Sequence, residues 1–109
     1  MITELLTAAL LTIQVDPHVA LAPSDIRIII HVEVNESNAY VIINCDGPGY
    51  YRSSAIPIRT NVGQMDPVWY RDLPAGEYII EVSLYRESIQ GSHEVARVKD
   101  RVILTGDDK

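Results

Sequence analysis

The sequence predicts an all-β domain, a seven-stranded antiparallel sandwich of two sheets. Three observations predict it. Apolar residues recur at every second position through most of the chain, and stops rich in Gly, Pro and Asn fall at strand-length intervals. No apolar stripe of helical spacing follows residue 10. The 109 residues allow one domain, and a domain of that size removes roughly two thirds of its unfolded surface from water, enough to fold without metal or disulfide.

The elements follow in order. Leu5, Thr7, Ala9, Leu11, Ile13 and Val15 share a face at period two, which predicts a strand from about Leu10 and leaves residues 1–9 open between strand and helix. Ile26, Ile28, Ile30, Val32 and Val34 alternate with Arg27, His31 and Glu33 to give the strongest strand of the chain. Asn35 to Asn38 forms a polar turn. Ala39 to Cys45 is the next strand, with Val41, Ile43 and Cys45 on one face, and Asp46-Gly-Pro-Gly49 ends it. Tyr50 to Ile56 carries a Tyr on each face. After the polar connection Pro57 to Pro67, Val68 to Leu73 is a short strand. Tyr78, Ile80, Val82 and Leu84 alternate through Glu77 to Tyr85, and the strand from about Glu94 to Leu104 carries Arg97, Lys99, Asp100 and Arg101, charges that suit a sheet edge.

The organisation expected is an extension over residues 1–9, a sandwich over 10–106 and the end of an acidic tail over 107–109. Nine Lys and Arg against 15 Asp and Glu leave a net charge of −6, which disfavours nucleic acid and anionic membrane surfaces as partners. The apolar opening lacks the basic residues of a secretory signal and is interrupted by Glu4, Gln14 and Asp16, so membrane insertion is not expected. Cys45 is the single cysteine and ends an apolar face, which reads as a buried thiol.

The run Trp69-Tyr-Arg-Asp-Leu-Pro-Ala-Gly-Glu-Tyr-Ile-Ile-Glu-Val-Ser-Leu84 resembles the corner leading into the penultimate strand of bacterial immunoglobulin-like and fibronectin type III-like sandwiches. Val19 to Ile28 and Gly49 to Ser54 are similar to segments of small bacterial proteins with such a domain. The resemblance implies Greek-key connections and a structural corner made by Leu73, Pro74, Gly76 and Tyr78, with Tyr78 bonding backbone upstream. It names no activity. It implies an extracellular, cell-surface or periplasmic setting, whereas a native Met1 fits an intracellularly made virion component.

No residue pattern specifies a reaction, so no enzyme activity, cofactor or metal is expected. His18, His31 and His93 lack metal-ligand spacing, Ser53 and Ser54 beside Arg52 lack a nucleophile elbow, and Asp46 and Asp107-Asp108 lack an EF-hand pattern. Asn35-Glu-Ser37 fits a glycosylation triplet too short to be informative. The most suggestive set is Tyr50, Tyr51, Arg52, Trp69, Tyr70 and Arg71, good contact surface for a protein partner or a carbohydrate. Against that stands the simpler expectation that Trp69 and one Tyr of each pair fill the core of a chain that has no Phe. The functional expectation is a non-enzymatic structural or protein-interaction module, self-associating by addition of its N-terminal strand to a neighbour. The alternative is a carbohydrate-binding module.

Overall fold

The computed structural model describes residues 10–59 and 63–106. The expected alternation produces eight strands: β1 (Leu11–Asp16), β2 (Val19–Leu21), β3 (Ser24–Val32), β4 (Asn38–Gly47), β5 (Tyr50–Pro57), β6 (Val68–Leu73), β7 (Gly76–Ser88) and β8 (Gly91–Thr105). They form a three-stranded sheet in the order β1-β3-β6 and a five-stranded sheet in the order β2-β8-β7-β4-β5. Every neighbouring pair is antiparallel except β2 and β8, which run parallel.

The core lies between the sheets because each main strand puts its apolar set on one side. Ile26, Ile28 and Ile30 of β3 are fully buried, as are Val41, Ile43 and Cys45 of β4 and Tyr78, Ile80, Val82 and Leu84 of β7. Burial pushes the Cys45 thiol up to about 11, so it stays protonated at neutral pH.

The expected count of seven misses β2. Its three residues pair with Ile103 to Thr105, while Val19 and Leu21 remain exposed. A strand held by backbone bonds and burying little leaves no periodic signal. β3 stops at Val32, so Val34 lies beyond the sheet and is exposed. The charged β8 is paired on its outer side only along Ile103 to Thr105, and over the rest of its length it is the edge expected from its charges. The segment between β1 and β3 is pinned to β8 on either side of β2: Ile103 donates its N–H to the His18 carbonyl at 2.8 Å, and Ala22 donates to the Thr105 carbonyl at 2.9 Å. Earlier on β8, Asp100 accepts a hydrogen bond from the His18 ring at 2.8 Å. Burial pushes the Asp100 carboxyl up, yet the hydrogen bonds from His18 and the Arg101 amide outweigh it and hold it below the usual range.

The described chain enters and leaves at opposite ends of a body 55 Å long. Leu11 lies opposite Val32 and the Leu10 carbonyl accepts from Glu33, whereas Thr105 lies beside Leu21 near Gly76. The first of these ends is tied together by Arg86, which donates to Asn38 Oδ1 at 2.9 Å and to Glu33 at 3.1 Å.

Candidate functional site

The corner residues Leu73, Pro74, Gly76 and Tyr78 carry the chain from β6 of the smaller sheet into β7 of the larger. At the start of β7 the Tyr78 hydroxyl donates to the Pro74 carbonyl at 2.7 Å, and its ring meets Tyr50 edge to face at 6.0 Å between centroids. Leu73 is buried beneath the turn. Gly76 has φ +152, and a Cβ there would meet the Pro48 ring, so two turns pack against each other through a position that tolerates no side chain.

Trp69 and Tyr70 are neighbours in sequence and point to opposite sides of β6. Tyr70 pairs with Ile26 and is buried, 2% exposed. Its hydroxyl has no hydrogen-bond partner among the described residues, and burial pushes its pKa up to about 12. Replacing Tyr70 by Phe is therefore expected to leave stability unchanged or raise it by about 1 kcal/mol in urea unfolding, because it removes a desolvated hydroxyl that bonds nothing. A loss of that size would reveal a partner for the group.

Trp69 pairs with Arg27 and is 43% exposed on the outer face of the three-stranded sheet, which corrects the expectation that it fills the core. The Arg71 guanidinium lies over its ring at 4.4 Å from the centroid and that of Arg27 at 6.0 Å. Each guanidinium faces a carboxylate. Arg71 donates to Asp25 at 3.1 Å, and Arg27 lies 3.9 Å from Asp16. Asp25 also accepts the Asp72 backbone N–H at 2.8 Å, where Asp72 has φ 59. That amide, with Arg71, holds the Asp25 carboxyl below its usual range. The result is a row running Asp16, Arg27, Trp69, Arg71, Asp25 across the sheet.

The remaining predicted contacts lie elsewhere. Tyr51, 64% exposed, is on the outer face of the five-stranded sheet with its hydroxyl 3.5 Å from Asn44. Tyr50 is half-buried on Tyr78, and Arg52 is exposed on the side of β5 that continues the core face. The four aromatics thus share no single surface. The outer face that Tyr51 joins is otherwise crossed by paired side chains: Tyr40 stacks on Tyr85 at 4.9 Å, Arg97 bridges Glu94 and Glu81, and Arg101 pairs with Glu77.

The structure does not bring His31, Asp46 and Ser53 together. His31 lies on the outer face of the three-stranded sheet, opposite in the molecule to Asp46 and Ser53. No group of three His, Cys, Asp or Glu residues is placed to hold a metal ion among the described residues, and no helix there is long and apolar enough to cross a membrane. A cavity of about 420 Å³ opens between the end of β5 and the start of β6, lined by Ile56, Ile58, Met65, Pro67 and Val68 together with Arg59 and Asp66.

In class, then, the chain is an all-β protein of two packed sheets with an aromatic and arginine row on its smaller sheet. Compared with protein-family models, curated proteins and solved structures, it matches none.

Proposed function

We propose that this chain is a non-enzymatic protein-interaction module built on an immunoglobulin-like sandwich, and that it meets its partner through the Trp69 face. Two features support the fold reading: the hairpins β4-β5 and β7-β8 lie side by side after β6 has crossed to the other sheet, and Tyr78 closes its corner onto Pro74. The observation that carries the functional reading is the exposed Trp69 between Arg71 and Arg27. Trp and Arg supply a large share of interface energy, and the Arg71 guanidinium, already hydrogen-bonded to Asp25 over the Trp69 ring, loses less freedom on binding. A sugar, by contrast, needs an open ring face, and Arg71 lies over this one.

The strand-addition form of the reading concerns residues 1–15. Residues 1–9 lie outside the described residues, and β1 pairs along its whole length with β3 of its own chain.

The test compares what immobilised wild-type, Trp69→Ala and Tyr51→Ala proteins retain from an extract of cells that make the chain. A polysaccharide panel is titrated in parallel against the fluorescence of the single tryptophan. A partner kept by wild type and Tyr51→Ala and weakened about thirtyfold by Trp69→Ala is the expected result. Retention indifferent to Trp69→Ala, or quenching by a polysaccharide, overturns it.

A further inference from the structure

Among the described strands, β1 and β6 border the smaller sheet, while β5 and most of β8 border the larger. Three of these are less suited to pairing. β1 has six residues and is in contact with β8 of the other sheet, β6 also has six and has positive φ at Asp72, and β8 carries alternating charge and has β2 across its end. β5 is different. Its register with β4 runs unbroken from Tyr50 to Pro57, and Arg52 is its one charged residue.

The direction of its backbone groups follows from one bond. Ile58 donates its N–H to Ala39 at 3.0 Å, and this pair continues the β4-β5 register by one step. Hydrogen-bonded and non-bonded pairs alternate along an antiparallel ladder. Tyr50, Arg52, Ser54 and Ile56 therefore turn their backbone groups toward β4, and Tyr51, Ser53 and Ala55 turn theirs outward.

We infer that β5 pairs antiparallel with β5 of a second copy of this chain, on a two-fold axis through Ser53, joining the two five-stranded sheets edge to edge. In that register Tyr51 exchanges both backbone bonds with the partner's Ala55, and Ser53 with the partner's Ser53, so each outward group finds a match. Tyr50 stands opposite the partner's Ile56, an aromatic and β-branched pair on the core side, and Arg52 stands opposite the partner's Ser54. The neighbouring registers are worse. Centring on Arg52 sets two arginines face to face, and centring on Ser54 offers Tyr51 to Pro57, which has no N–H to give. The edge is self-complementary in one register, as a two-fold interface requires. It lies apart from the Trp69 face, so the two readings stand or fall separately.

Cysteine scanning tests the pairing. Directly opposed residues in a bonded antiparallel pair lie about 5.5 Å apart at Cα, within disulfide reach. Under oxidised glutathione, Ser53→Cys is expected to give a cross-linked dimer and Ser54→Cys to remain monomeric on a non-reducing gel, with buried Cys45 silent in both. In sedimentation of the uncross-linked protein, Ser54→Asp, facing the partner's Arg52, is expected to tighten the dimer and Ser54→Arg to weaken it. Each shift is about three- to tenfold. Trp69→Ala leaves the dimer unchanged. Cross-linking through Ser54→Cys in place of Ser53→Cys, equal effects of the two charge variants, or a monomer at millimolar concentration overturns the proposal.

Discussion

Tyr78→Ala is expected to cost about 3–5 kcal/mol of unfolding free energy. The ring it removes is fully buried, contacts Tyr50, and holds the turn after β6 through its bond to Pro74. Tyr78→Phe separates the two contributions: the ring stays, the hydroxyl goes, and the cost falls to about 1 kcal/mol. Urea unfolding of the two variants beside Tyr70→Phe makes the comparison internal to one protein. The same atom is removed from two buried tyrosines, one with a partner and one without, and the two changes are expected to differ in sign or nearly so. Equal losses at Tyr70 and Tyr78 would contradict that assignment.

Gly47→Val is expected to be the second severe change, destabilising by about 3 kcal/mol. Gly47 ends β4, and a Cβ built there would clash with the Cδ2–Cε2 edge of the Tyr78 ring. The ring has nowhere to go, pinned as it is by its hydroxyl bond and by Tyr50. The two sites are therefore coupled, and in the Tyr78→Ala background most of the penalty of Gly47→Val should vanish, because the substituted side chain enters the space the ring has left. Thermal unfolding of the four proteins of this cycle measures the coupling. Strict additivity would show that Gly47 resists substitution for a reason other than the ring.

The strands that bury one face were legible in the sequence because burial imposes period two: Ile26, Ile28 and Ile30 state their own geometry, and so do Tyr78, Ile80, Val82 and Leu84. β2 was not, since Val19 and Leu21 stay exposed and only backbone bonds to β8 define it. The alternation at Trp69 and Tyr70 required one ring inside and one outside but did not say which. Register decided it, by setting Tyr70 against Ile26 and Trp69 against Arg27. Nor does period reveal sheet membership. Tyr51 and Trp69 both face solvent, yet from opposite sheets, which is why an expected cluster of aromatics became two separate surfaces. The row around Trp69 depends on Asp25 reaching Arg71 and the Asp72 amide across 46 and 47 residues of sequence, a contact that local pattern does not encode.

The separation of residues 10 and 106 to opposite ends of the long axis has a mechanical consequence. Tension applied through the two ends pulls β1 along β3 in one direction and β8 along β7 in the other, parallel to the strands. Their ladder bonds then carry the load together in shear instead of parting one after another, and the bonds from His18 and Ala22 to β8 share that load across the two sheets. A module strung between other parts of an assembly would resist extension in this direction far better than across it.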